Sequence, residues 1–479
     1  MLNKLYRLVG AVVNLSINES AYRKKLTIFC IMIYNIYEYM YFDFYYIYIM
    51  GRSRKLTANT KKKVQNYIEE HKDELVKAIV KAVQIPSVIG DENAMANYMK
   101  KKYEEIGLKV VEVYPEYEKI QNHPAFSSSG LPFEGRKNII GIWEGKEEAP
   151  SLTLNGHIDV VSPEPVENWT KDPWGGEIEG NKLYGRGSGD MKAGLMANWF
   201  ALKALLDLGI KPKGKVMLQS VIEEEAGGAG GTLSCLEDGY VTDGFIATEP
   251  HALRLTVAHA GVMYFRVRVL GKTAHAGMAH LGVNAISKMY KVYNELEELA
   301  EKRAKGVYFE LFHKGSGQSV HMNLGTLKGG DWASNVPGEA VLECRVGFIP
   351  SETRAEIKEL IERTVQEAAK GDEWLEEHPP EVEWYGWTTE AWNQDPEDPY
   401  VKAFKKTAED VLGREVEIAG RAAGNDARFT QYYDKPGLVF GPRCSNMHGP
   451  DEYVEIDSVI DTAKVFAAHI IDWCGVEED

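Results

Sequence analysis

Five residues of metal-ligating type, His157, Asp190, Glu225, Glu249 and His448, fall close behind short apolar runs or beside them. SLTLNG precedes His157, KVMLQSVI precedes the glutamate run, DGFIAT precedes Glu249, and GLVFG comes shortly before His448. Asp190 differs, following the loop GRGSG and opening the helix-like stretch MKAGLMANWFALKAL. Buried strands of a parallel sheet read as such runs, and α/β sheets bind ligands beyond the carboxyl ends of their strands. Carboxylates and imidazoles gathered there suit divalent ions of the zinc type. Metal-assisted hydrolysis is the chemistry such a set performs.

Within HID (157–159), alternate residues of a strand share a face, so Asp159 is placed to fix the tautomer of a metal-bound His157. A surface histidine ending a strand would show the same short pattern. In YGRGSGDMKAG the glycines form a tight turn that presents Asp190 at the mouth of the following helix. It can cap that helix, and its two oxygens can also bridge two ions; the roles are compatible. IEEEAGGAGG (222–231) is the most specific segment. Its successive carboxylates would repel one another if buried, cations relieve that repulsion, and the glycines let backbone pass close by. The competing reading is a solvated acidic turn, and the adjoining apolar strand argues against it. Glu249 in TEPH, His448 in CSNMHGPDEYVEI and His275 in GKTAHAG carry little weight singly. Cys444, near His448, reads as packing rather than as a ligand.

These residues need a scaffold that brings distant segments together. Residues 139–248 alternate strand-like and helix-like stretches, the pattern of an α/β domain with a mainly parallel central sheet and helices on both faces. After Glu249 the texture changes: GVMYFRVRVL (261–270) alternates apolar and polar, a helix is predicted over 283–304, strands over 319–327 and 338–346, and a helix near 352–369. That order predicts a small α+β domain inserted into the larger one. The expected boundaries are 50–254 and 373–479 for a discontinuous first domain and 255–372 for the insert. The acidic, proline-bearing segment 371–399 is expected to carry the chain back.

At 479 residues the chain exceeds one ordinary core. A formal net charge of −16 argues against nucleic acid, which needs a basic footprint. Five scattered cysteines without CxxC spacing point to a reducing compartment and a cytoplasmic protein. Residues 1–49 differ from the rest, holding nine of the 25 tyrosines and no proline. Glu38 and Asp43 interrupt the aromatic run, which weighs against a membrane span. The stretch is expected to lie outside the fold, its composition that of AT-rich codons and Met50 a candidate start.

Taken in order, GHID, GRGSGDMKAG, EEEAGG, TEP, GKTAHAG and MHGPDE resemble the zinc deacylases and exopeptidases that include acetylornithine deacetylase, succinyl-diaminopimelate desuccinylase, the aminoacylases and glutamate carboxypeptidase. The resemblance covers about residues 55–475. It implies two zinc ions bridged by Asp190, one completed by His157 and Glu249 and the other by Glu225 and His448. Cobalt and manganese share such ligands. By the same resemblance Asp159 orients His157, Glu224 is the general base, and His275 is a lid-domain histidine reaching across a homodimer. Asn335 in SNVPGEAVLECRVG is retained, Arg345 falls slightly early for the family's lid arginine, and GRAAGNDARF, with Gly424 and Asn425, resembles the family's substrate loop. The implied activity is removal of an acyl group from an N-acyl amino acid or similar small N-acyl amine. The alternative is a dipeptidase or carboxypeptidase using the same chemistry.

Overall fold

The computed structural model describes residues 57–146 and 148–477. Contacts divide the chain into two units, Met1–Lys63 and Val64–Asp479, and the second carries the sheets and the site. The biased stretch 1–49 lies outside the described residues.

The second unit contains a nine-stranded mixed sheet. Its centre is parallel: Leu152–His157 lies between Val216–Val221 and Gly244–Ala247, which in turn pairs with Gly437–Val439. Antiparallel strands extend it on both sides, Asn138–Trp143 and Lys109–Val113 on one, Leu255–His259 and Trp392–Asn393 on the other. The three central strands are buried on both faces, as continuous apolar runs require. Helix Ala193–Asp207 is buried along nearly its whole length. Its Ala, Leu and Met content favours helix, and an apolar surface on all sides demands cover from every direction. The neighbouring helices Lys72–Val83 and Ile456–Cys474 supply it within one large apolar core.

A second, four-stranded antiparallel sheet runs in the order Met322–Gly329, Glu339–Phe348, Gly261–Leu270, Glu381–Thr389. Helices Ala285–Gly306 and Arg354–Ala369 pack on it around a separate core. Both start where the sequence signals it: Asn284 caps the first, and Thr353 with Glu356 forms a capping box on the second. The chain departs from expectation at both ends of this insert. Strand Leu255–His259 still belongs to the large sheet, and segment 371–399 gives the small sheet its fourth strand before crossing back at Trp392. The reason is in EVEWYGWTT, which alternates acidic with apolar residues and so satisfies a half-exposed strand despite its charge.

A third small sheet joins Cys444–Ser445, Tyr453–Glu455, Lys182–Tyr184 and Ile178–Glu179. It holds the loop bearing His448 beside the glycine loop that leads to Asp190. The described cysteines, Cys235, Cys344, Cys444 and Cys474, are free. No helix among the described residues is long and apolar enough to cross a membrane.

Candidate metal centre and cleft

His157 ends the central parallel strand, and its ring is fully buried. Its Nδ1–H donates to the Asp159 carbonyl oxygen at 2.8 Å. A carbonyl only accepts, so Nδ1 carries a proton and Nε2 is the nitrogen turned to the centre. Nε2 faces Asp190 Oδ1 at 3.1 Å and Glu249 Oε1 at 3.7 Å. On the far side of Asp190, Oδ2 lies 3.6 Å from His448 Nε2, which is also 3.0 Å from Glu225 Oε2. Asp190 thus turns one oxygen to each imidazole. Glu224 enters the same space: ligand atoms of His157, Glu224 and Glu249 lie within 4.8 Å of one another, as do those of His157, Asp190 and Glu225.

Backbone conformation delivers these groups. The glutamates follow strand Val216–Val221 through a turn in which Glu223 takes a left-handed φ of 67°. Gly228 comes so close to Asp426 that a Cβ there would lie 2.3 Å from its Oδ1. The Asp159 carboxylate has a task the sequence did not reveal: it accepts from Glu224 N at 3.2 Å and Glu225 N at 3.1 Å, so it orients the two glutamates. Its carboxylate is a longer 3.5 Å from His157 Nδ1, and the imidazole is oriented chiefly by the Asp159 backbone.

Two buried ion-pair clamps escaped sequence reasoning. Glu452, fully buried, accepts from Arg186 Nη1 at 2.5 Å and from the amides of Gly187, Gly189 and Asp190 at 3.1, 2.9 and 3.0 Å. It shapes the loop that presents Asp190, where Gly187 has φ 77°. Arg136 holds Glu92 with two hydrogen bonds, of 3.0 and 2.5 Å, and Glu223 with one of 2.7 Å. The acid of MHGPDE and the arginine of GRKN stand in the sequence, but nothing local marks their distant partners.

The electrostatics of the chain call for positive charge. Burial, with Glu249 close by, pushes the Glu224 carboxyl well above its usual range. Burial beside Asp190 raises Glu225 and pushes Glu249 up to about 8. Burial would raise Asp190 too, but hydrogen bonding to His157 and His448 holds it below the ordinary range. Hydrogen bonds to Asp190 and Glu225 lift His448 to about 10. Buried carboxylates crowded together repel one another, and a cation among them relieves that repulsion. Imidazole and carboxylate donors in this arrangement fit two divalent ions.

The centre opens into a cleft of about 390 Å³, small by the standard of ligand pockets. Its acidic lining residues are Asp190, Glu224, Glu225 and Glu249, whereas Arg345, Arg421 and Arg428 supply cations and Tyr264 and Trp387 aromatic surface. Gly424 lines it. Asn425 is buried, its side-chain oxygen accepting from Ala427 N at 3.0 Å while Nδ2 has no partner among the described residues. His275, exposed, and Asn335, half-buried, pair as an isolated β-bridge in the small domain and are not among the cleft-lining residues of their own chain. Arg421, Arg428, Tyr264 and Trp387 were not expected at the site, and Arg345, slightly early for the family's lid arginine, lines the cleft.

Comparison with known proteins gives concordant results. The model of peptidase family M20/M25/M40 matches residues 153–472. An N-formyl-4-amino-5-aminomethyl-2-methylpyrimidine deformylase of Halalkalibacterium halodurans is 28% identical over 438 residues, covering 86% of this chain and 97% of its own. A probable succinyl-diaminopimelate desuccinylase of Staphylococcus epidermidis is 28% identical over 364 residues, covering 70% and 87%. Among solved structures, a tripeptidase of Staphylococcus aureus matches with a TM-score of 0.65 at 21% identity, over 84% of this chain and 98% of its own. The Saccharomyces cerevisiae di-peptidase Dug1p matches with a TM-score of 0.66 at 16% identity, over 87% and 99%. At such identities these structures speak to the fold alone.

Proposed function

Because this chain belongs to peptidase family M20/M25/M40, a family of metal-dependent hydrolases, we propose that it removes the acyl group from an N-acyl amino acid or similar small N-acyl amine. The observation that carries this reading is the Asp190 carboxylate, one oxygen toward His157 and the other toward His448, with Glu224 in the same cleft. His157, Asp190 and Glu249 would hold one divalent ion and Asp190, Glu225 and His448 a second, with zinc the proposed metal and cobalt or manganese compatible with the same donors. Bound ions of this kind polarise a scissile carbonyl and acidify water.

The chain's own groups then divide the work. Glu224 takes a proton from the attacking water and returns it to the departing nitrogen. A C–O bond forms, the C–N bond breaks, and a carboxylate and an amine leave. Asp159 holds Glu224 in place through the backbone amide. The arginines that line the cleft suit a carboxylate on the substrate. A free α-amino group, which an aminopeptidase or dipeptidase must bind, would find as acids lining the cleft the metal-type residues and the base Glu224. This favours capped amines over free peptides, in keeping with the deformylase and desuccinylase among the relatives.

The small domain is proposed as a lid and dimerisation domain. Its edge strand Met322–Gly329 is largely exposed, and Trp332 near its end is 67% exposed; unpaired edges are templates for a second copy. Such pairing would bring His275 of the partner subunit toward the cleft as an oxyanion donor. Metal-loaded enzyme assayed by mass spectrometry on formyl, acetyl and succinyl amino acids and on free dipeptides tests the reading. Cleavage of capped substrates is expected, and cleavage confined to dipeptides with a free amine overturns it.

A further inference from the structure

The aromatic wall of the cleft is built on a bulge in the small sheet. Strand Glu381–Thr389 pairs with Gly261–Leu270 until Tyr385 meets Tyr264, and pairing resumes only where Thr389 meets Val262. Residues Gly386, Trp387 and Thr388 therefore bulge opposite Met263 alone. Bulges beside active sites re-aim side chains, and Gly386, at φ 66°, allows this one. The bulge is tied down: Thr388 N–H donates to Ser127 Oγ at 2.7 Å, and Thr388 Oγ1 donates to the Val262 carbonyl at 3.0 Å. Trp387 consequently leans over the loop that carries the candidate base, where a Cβ on Gly227 would lie 3.3 Å from its own Cβ.

Trp387 meets Tyr264 edge-on, with ring centroids 5.7 Å apart at 63°. Both rings line the cleft and both are only half-buried. An edge-on pair makes a corner in which a third ring can stack on one member and meet the edge of the other. Arg345 stands directly across from Tyr264 in the neighbouring strand, and paired residues share a face. Its guanidinium donates a long 3.4 Å bond to the Ala422 carbonyl, which engages one of five N–H groups.

We propose that Trp387 and Tyr264 form a subsite for a planar ring, with Arg345 beside it for a carboxylate, so that the preferred substrates are N-acyl aromatic amino acids. The paired positions stand about 5 Å apart at the backbone, so the Tyr264 ring and the Arg345 side chain rise side by side from one face of the sheet. This inference rests on the deacylase reading and specifies which amine half it takes.

The test compares kcat/KM for N-acetylphenylalanine, N-acetylalanine and N-acetylbenzylamine in wild type and variants whose folding is checked by thermal melting. Wild type should prefer the phenylalanine compound over the alanine compound by about tenfold, the value of one well-placed ring contact, and through KM. Trp387→Ala should bring that ratio to about one, Trp387→Phe should keep most of it, and Arg345→Met should erase the advantage over the benzylamine compound. A wild-type ratio near one, or a ratio unchanged in Trp387→Ala, overturns the subsite while leaving deacylation intact. Should no N-acyl compound be cleaved, the deacylase reading falls, and calorimetry with phenylalanine itself still decides the subsite. Weaker binding to Trp387→Ala than to wild type supports it, and equal or absent binding overturns it. Should Trp387→Ala fail to fold, Tyr264→Leu takes its place in both assays.

Discussion

The two imidazoles of the centre are mounted in opposite ways. His157 grows out of a strand buried on both faces, its ring fully covered and its Nδ1 fixed by a backbone carbonyl. His448 rides on a loop, its side chain 53% exposed and its backbone left-handed at φ 61°. A non-glycine residue in that region is held there by its surroundings. The loop is fastened at its far end, where Asp451 accepts from Thr170 N at 2.8 Å and Lys171 N at 3.1 Å, and Glu452 grips the Asp190 loop. One half of the centre is therefore as rigid as the core, and the other is only as rigid as its fastenings. Two ions held by these halves should differ in affinity, with the one beside His448 exchanging first.

The largest expected effect lies outside that asymmetry. Glu224→Gln should lower kcat by about 10³-fold while metal content, read by mass spectrometry of the native protein, stays at the wild-type value. Turnover near normal would move the base elsewhere. Next comes the clamp that serves both halves. Glu452→Ala strands the buried Arg186 charge and the amides of Gly187, Gly189 and Asp190. Breaking a buried pair by removing one partner costs about 3–5 kcal/mol, so denaturant melts should show a loss of that order. A loss below about 1 kcal/mol would mean that solvent reaches the arginine.

How legible each half was follows the same division. His157, Glu225 and Glu249 could be placed from sequence because an apolar run fixes a strand and a strand fixes where its end lies. The glutamate run was conspicuous because like charges need a reason to adjoin a buried strand. Glu452 and Arg186 were visible as residues but not as a pair, since their contact joins segments 266 positions apart. The aromatic wall was hidden for a different reason: Glu381, Glu383 and the preceding prolines made segment 371–399 look like a connection, although its alternation was already that of a strand. The bulge that aims Trp387 depends on register with another strand, and register is a tertiary property. His275 and Asn335 could be read only through family resemblance, and within one chain they pair with each other rather than line the cleft.

The comparison sharpens with single ligand deletions. His157→Ala removes a donor facing both Asp190 and Glu249, whereas His448→Ala removes one at the exposed side. Metal titrations should show His448→Ala retaining one tight equivalent and binding the second at least about 100-fold more weakly, as loss of a direct ligand should exceed the 10–100-fold typical of its supports. His157→Ala should weaken the ion that His448→Ala retains. Equal losses in the two variants would mean that the halves are coupled into one unit.

The smallest and most discriminating effect concerns the fastening alone. Asp451 touches no metal-type residue of the centre; it holds the His448 loop to Thr170 and Lys171 through two amides and one hydroxyl. Asp451→Ala removes hydrogen bonds worth about 1 kcal/mol net. A loop released by that amount spends more time away from the ion-binding geometry, and affinity falls by the fraction of time lost. The second ion should therefore bind about fivefold more weakly and leave faster into a chelator, with the first ion and the melting temperature of the metal-free protein little changed. Faster release of both ions would make the exposed loop a general gate for the centre, and unchanged release would mean that Glu452 fixes His448 without help from its neighbour.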